Sequence, residues 1–254
     1  MSISLQNIRL AYGSRTLLEN VSADIPAATL TAFLGRNGTG KSSLLHAIAG
    51  LNKVSEGEIR LCGRPLAALE AKQLAATVSF VATDKLRIAN LTCEQMVALG
   101  RAPYTDWLGR MRETDRAAVR RALETVGLTD YAAKTMDTLS DGECQRAMIA
   151  RALAQDTPVI LLDEPTAFLD LPNRYAMVSL LARLARDEGK CVLFSTHDLE
   201  IALSHCDAVL LIDTPQLRHI PASEVASSGA IERLFAGSGV TYDPAAKRLR
   251  PAER

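Results

Sequence analysis

The chain of 254 residues balances 29 Lys plus Arg against 29 Asp plus Glu, so it has no net positive charge with which to hold a polyanion, and nucleic acid is not expected as a main partner. Its five cysteines, Cys62, Cys93, Cys144, Cys191 and Cys206, form neither a C-x-x-C pair nor a disulfide framework and read as free thiols of a reducing compartment. No apolar run approaches the ~20 residues that span a bilayer, and Ser2, Ser4, Gln6 and Asn7 interrupt what a secretory signal needs, so a membrane role is expected only through a partner.

In chain order, Ile3, Leu5, Ile8 and Leu10, then Val21, Ala23 and Ile25, alternate with polar residues as short half-buried strands of a small antiparallel layer. Tyr12 ends the first strand beside Gly13, where its ring is placed to stack on a nucleobase; an edge tyrosine without a role is the plain alternative. The apolar run 29–34 leads into Gly35, Arg36, Asn37, Gly38, Thr39, Gly40, Lys41 and Ser42, and Ser43 begins a helical pattern that stops at Gly50. The spacing G-x-x-x-x-G-K-S marks a phosphate-binding loop. Its glycines let successive backbone N–H groups turn inward around an anion, the helix N-terminus adds its positive end, Lys41 can neutralise β and γ phosphates, and the Ser42 hydroxyl can ligate Mg²⁺. The chain is therefore expected to bind a nucleoside triphosphate.

Beyond this helix, 58–62 reads as a strand, 66–74 as a short helix and 77–81 as a core strand. From 84 to about 154 the pattern is helical, with hydroxyls at Thr92 and Ser140 followed three places on by Gln95 and Glu143, and with Val119, Ala122, Leu123 and Val126 on one helix face. The run 159–162 is continuously apolar, as a parallel strand covered on both faces requires, and Asp163 and Glu164 follow it immediately. A helix over 172–187, a strand over 191–195, a helix capped by Asp198 and a strand over 208–212 complete an alternation that implies a largely parallel sheet. The tail after Asp213 carries shorter elements left unassigned. The expected fold is α/β, with a mostly parallel core sheet, a small antiparallel β subdomain and an inserted helical subdomain. It forms one domain over 1–254, with its core at about 1–83 and 155–254 and the helical part at about 84–154.

In a doubly wound sheet the ligand lies beyond the carboxyl ends of the strands, where Gly35, Asp163, Glu164 and His197 would converge. Asp163 is placed to hold Mg²⁺ with Ser42, Glu164 to polarise the attacking water, and His197 to hydrogen-bond the γ-phosphate and sense its loss.

Taken together, these residues resemble the ATP-binding cassette subunit of an ABC transporter, a P-loop NTPase. The resemblance rests on Tyr12 at the adenine-stacking position, Gly35 to Ser42 as Walker A, Ser140, Asp141, Gly142 and Glu143 at the signature, Asp163 and Glu164 at Walker B, Asp170 in the D-loop, and His197 at the switch, and it covers about 3–212. It implies ATP with Mg²⁺, and a head-to-tail pair of copies in which Ser140 to Glu143 of one face the γ-phosphate held by the other. It also implies integral membrane permease subunits, an indirect link to an extracytoplasmic substrate-binding protein, and a peripheral place on the cytoplasmic face of the inner membrane. Finer likeness at 99–105, 152–155 and 168–174 is to importers of ferric siderophore, haem and cobalamin. Asp141 stands where the family usually has Gly, Glu143 where Gln is common, and Thr83 where a Gln touches Mg²⁺ or the attacking water. Thr83 is two methylenes shorter and is expected to act only through a water or a shifted loop. Met96, Trp107 and Met111 are candidate exposed contacts for the permease, with burial in the helix cores as the plain alternative. The rival readings are a soluble ATPase of the same class, against which the lack of a basic excess weighs, and a nucleotide-dependent regulatory module, which Glu164 and His197 oppose.

Overall fold

The structure, a computed structural model, describes residues 1–13, 15–83, 87–167, 169–237, 239–243 and 248–251. Asp84 and Phe168, which fall within the motifs above, lie outside the described residues. Strand β1 (Ile3–Tyr12) and strand β2 (Arg15–Ile25) form the expected antiparallel layer. Leu5 and Ile8 are three residues apart, which would place them on opposite faces of a regular strand. A register shift between them, with Asn7 in the left-handed region at φ 51°, absorbs the extra residue, and Ile3, Leu5, Ile8 and Leu10 all point inward.

Strand β3 (Thr29–Gly35) runs into the glycine loop and helix α1 (Lys41–Ile48). Strand β4 (Glu56–Leu61) pairs with β1 and turns through Cys62 and Gly63, both at positive φ, into the short strand β5 (Arg64–Pro65). The strand expected over 58–62 is thus shifted, because Cys62 is the first turn residue. The single helix expected over 66–74 is two pieces, a 3₁₀ turn at Leu66–Ala68 and helix α2 (Ala71–Ala75). Leu69 and Glu70 are extended, and the Gln73 side chain accepts from the Glu70 N–H at 3.3 Å, so a capping pair starts a new helix inside the apolar pattern.

After strand β6 (Val78–Val81) come helices α3 (Cys93–Ala98), α4 (Glu113–Thr125) and α5 (Asp141–Ala154), which pack on one another. Both capping boxes form: Thr92 accepts from the Gln95 N–H and Ser140 from the Glu143 N–H. Between α3 and α4, Arg101 is almost buried and forms an ion pair with Asp115 at 2.8 Å, donates to the Ala154 carbonyl at 2.8 Å, and lies 3.9 Å over the Tyr104 ring. Tyr104 donates to the Gln155 carbonyl, and the Gln155 side chain donates to the carbonyls of Ala75 and Val78, which ties these helices to the edge of the core sheet. Met96 is fully buried among them, so the candidate permease contact falls and the helix-core alternative holds: α3 turns that face toward α5. Met111 is half-buried against the same core, whereas Trp107 is 91% exposed.

Strand β7 (Val159–Leu162), helix α6 (Leu171–Asp187), strand β8 (Cys191–Ser195), helix α7 (Leu199–His205) and strand β9 (Ala208–Asp213) follow as expected. The tail folds into strand β10 (Gln216–Pro221), helices α8 (Ala222–Val225) and α9 (Ala230–Phe235), and a hairpin of β11 (Val240–Asp243) and β12 (Arg248–Pro251). The core sheet has the order β10-β9-β3-β8-β7-β6, parallel except for β10. Successive residues of its central strands serve two different cores. Leu30, Ala32, Leu34, Ile160, Leu162, Val192 and Phe194 join the helices of one face, while Phe33, Val159, Leu161, Cys191 and Leu193 join α1 and the antiparallel layer on the other. Among the described residues the cysteines form no disulfide, and no helix is long and apolar enough to cross a membrane.

Candidate nucleotide site

The parallel register aligns the strand ends: Phe33 pairs with Ser195, Gly35 with Ile212, Leu162 with Phe194 and Val81 with Leu162. The glycine loop, the carboxylate pair, the switch histidine and Thr83 therefore leave the sheet at one edge. At Gly35 a Cβ would lie 2.2 Å from Ile212 Cγ2 and 2.9 Å from the Ile212 carbonyl, so the loop must start on a glycine. Gly40 sits at φ 104° as the cap just before α1, a conformation that side chains with a Cβ rarely adopt.

Lys41 is 7% exposed, and its ammonium donates to the carbonyls of Gly35 at 2.9 Å and Arg36 at 3.3 Å. Burial pushes its pKa below the ordinary lysine value, against the opposing pull of Glu164 and Asp163. An ammonium held this way across the mouth of its own loop is preorganised for an anion. Arg36 also accepts from the Thr39 hydroxyl, which closes the loop's turn. Tyr12, Asn37, Gly38, Gly40, Lys41, Ser42, Ser43 and Glu164 line one open cleft of about 380 Å³. Arg15 and Leu17 line it too and were not among the expected residues. The signal for Arg15 was its place across the hairpin from Tyr12, and Leu17 packs against Gly40.

Asp163 is 7% exposed, and its Oδ1 accepts from the Ser195 hydroxyl at 2.6 Å. Ser195 accepts in turn from the Glu164 N–H at 2.8 Å. Glu164 takes a left-handed φ of 48°, and its Oε1 lies 2.5 Å from His197 Nε2. Thr83 hydrogen-bonds the Asp163 carbonyl directly at 3.0 Å, a main-chain contact that the sequence reading did not include. The residue is short, but β6 and β7 are neighbours, so the main chain is within its reach.

Ser140 to Glu143 sit apart from the cleft. The Ser140 hydroxyl donates to Glu143 Oε2 at 2.8 Å, and Asp141 pairs with Arg87 at 2.6 Å. A Cβ at Gly142 would meet only Leu169 Cδ2, at 3.6 Å, and Gly142 lines a different depression, with Leu169 and Asn173. Asp170 caps α6 by accepting from the Asn173 N–H. One copy of the chain thus brings together Tyr12, the loop, Asp163, Glu164 and His197, but leaves residues 140–143 outside.

Loop, parallel strand and carboxylate pair define a nucleoside triphosphatase of the P-loop class. A family model described as ABC transporter matches residues 18–167. The petrobactin import ATP-binding protein FpuD of Bacillus anthracis is 35% identical over 216 residues, 85% of this chain and 79% of that one. The ferric enterobactin transport ATP-binding protein FepC of Escherichia coli is 33% identical over 231 residues, 91% of this chain and 85% of its own. A solved dimer of the ATP-binding cassette MJ0796, in a post-hydrolysis state with ADP and Pi, superposes with a TM-score of 0.75 at 28% identity, covering 87% of this chain and 98% of that one. The chain belongs to the ABC transporter family, as an ATP-binding and ATP-hydrolysing subunit.

Proposed function

We propose that the chain energises the import of a ferric chelate through a separate membrane permease, working as a head-to-tail pair of copies on the cytoplasmic face of the inner membrane. An extracytoplasmic binding protein would deliver the cargo. The observation that carries this reading is the incomplete site: Tyr12, Asn37, Gly38, Gly40 to Ser43 and Glu164 line one cleft, with His197 bonded to Glu164, while residues 140–143 sit on a helix N-terminus elsewhere on the surface. A second copy can supply that N-terminus, whose positive end suits a γ-phosphate. The relatives named for petrobactin and ferric enterobactin support a ferric chelate as cargo. Residues 84–154 then form the helical subdomain that meets the permease, with exposed Trp107 on that part of the surface.

In this reading Tyr12 stacks on the adenine, and the N–H groups of Arg36 to Ser43 cradle the phosphates. Lys41 leaves the carbonyls of Gly35 and Arg36 for phosphate oxygens. Ser42 and Asp163 suit Mg²⁺ that arrives with the triphosphate, because such an ion keeps several waters and asks for only one or two protein oxygens. Among the described residues no cluster of three His, Cys, Asp or Glu would hold a metal unaided. The ion would neutralise charge on the phosphates. Glu164 orients the attacking water and accepts its proton, and His197, now bonded to Glu164, turns to the γ-phosphate.

Purifying the chain from detergent-solubilised membranes and identifying its companions by mass spectrometry tests the transport role. Recovery of a multi-span permease is expected. Recovery of soluble proteins or nucleic acid alone would discard the importer reading and leave the ATPase.

A further inference from the structure

Two hydroxyls, from the strand ends on either side of β7, hold the two ends of a single peptide group. The Asp163 carbonyl accepts from Thr83 Oγ1 at 3.0 Å, and the Glu164 N–H of the same peptide donates to Ser195 Oγ at 2.8 Å. Ser195 is fully buried and spends its one proton on Asp163 Oδ1, 2.6 Å away. The residue that follows the held peptide is Glu164, at φ 48°. A non-glycine residue stays in that region only where its surroundings fix it.

We propose that Thr83 and Ser195 are positioning residues for ATP hydrolysis, clamping the 163–164 peptide so that Glu164 keeps its left-handed turn and presents its carboxylate to the cleft. The proposal rests on the reading of Glu164 as the group that orients the attacking water. The clamp gives Thr83 a task that a longer side chain in the cleft would not perform. Thr83 thereby reaches Glu164 through the main chain at Asp163, without a side chain entering the cleft. Ser195 adds a second effect, since engaging Oδ1 orients the Asp163 carboxylate and directs its other oxygen away from the serine.

The test compares kcat and KM for MgATP, affinity for a fluorescent ATP analogue, and Tm in the full chain carrying Thr83→Val, Thr83→Ser, Ser195→Ala or Glu164→Gln. A neutral hydrogen bond corresponds to roughly fivefold in rate and one to a charged group to roughly 10- to 100-fold. Thr83→Val is therefore expected to lower kcat about fivefold with KM and analogue affinity within twofold, and Ser195→Ala to lower kcat about 10- to 100-fold. Thr83→Ser, which keeps the hydroxyl, recovers most of the Thr83→Val loss. If Ser195→Ala does not fold, the Thr83 pair decides alone, because that position is half-buried. A silent Glu164→Gln removes the reading on which the clamp stands. An inactive Glu164→Gln alongside unchanged kcat in Thr83→Val overturns the clamp alone, as does a loss in Thr83→Val that Thr83→Ser fails to recover.

Discussion

Replacing Lys41 with alanine is expected to lower ATP turnover by about 10²- to 10³-fold, the usual cost of losing a preorganised donor that stabilises developing charge. Lys41 is the first residue of α1, is 7% exposed, and is already desolvated against the carbonyls of Gly35 and Arg36. Little reorganisation remains when a triphosphate takes the place of those carbonyls, so its charge acts at nearly full strength in a partly dry site. Without it, the phosphates meet Asp163 and Glu164 with no fixed cation between them. Alanine also leaves the loop's two carbonyls without their partner, and nucleotide affinity should fall alongside turnover. Initial rates of phosphate release from the full chain check this, and near wild-type turnover in Lys41→Ala would refute the assigned role.

Arg101→Met is expected to destabilise the fold by about 3–5 kcal/mol, the cost of stranding a buried charge. The Arg101 and Asp115 side chains are only 11% and 3% exposed, and Arg101 also donates to the Ala154 carbonyl. Methionine matches the stem but leaves the Asp115 carboxylate with the Arg112 N–H as its remaining partner. That N–H, and then Arg101, hold the Asp115 carboxyl below its ordinary pKa, against the upward push of burial. A carboxyl depressed in the folded state stabilises the fold above its unfolded value of about 3.9, and the contribution is lost as pH falls through the folded value. The deficit of Arg101→Met should therefore be largest near neutral pH and shrink below about pH 4, and adding Asp115→Asn should recover part of it. Denaturant midpoints at several pH values measure this. A deficit under about 1 kcal/mol at pH 7 would mean that the pair contributes no more than a surface bridge.

What could be read from the chain without the structure was whatever is local. The strand before Gly35, the glycine spacing and the helix after Ser43 are contiguous, and each signals its own geometry. The alternation of apolar runs with helical patterns was enough for a parallel sheet, and that topology alone sends Gly35, Asp163 and His197 to the same edge. The bonds that join those segments were not legible. Nothing in the chain near Ser195 says that its hydroxyl meets Asp163, because that contact depends on β7 and β8 being neighbours in register. The partner of Thr83 was hidden for the same reason: its reach was measured toward the cleft, while its partner is the main chain just past the adjacent strand. Met96 failed differently. It sits on an amphipathic helix whose apolar face could serve either a core or a partner, and only the packing of α3 on α5 decides between them. In the stretch 66–74, apolar periodicity continued across a break set by Glu70 and Gln73, a polar pair whose effect the hydrophobic pattern hides.

Hydrolysis is expected to need the loop of one copy and residues 140–143 of another, and mixing two inactive variants tests this most directly. Lys41→Ala removes the loop cation, and Gly142→Asp places a carboxylate where phosphate must approach, at a position with room for a side chain. Each variant alone should be inactive, since every site in its own pair is defective. In a mixed pair one site carries both defects and the other carries neither. Mixing is expected to restore ATP hydrolysis in proportion to the mixed pairs formed. No activity at any mixing ratio would contradict it, because that is the result expected if the loop and residues 140–143 of the same copy serve the same nucleotide.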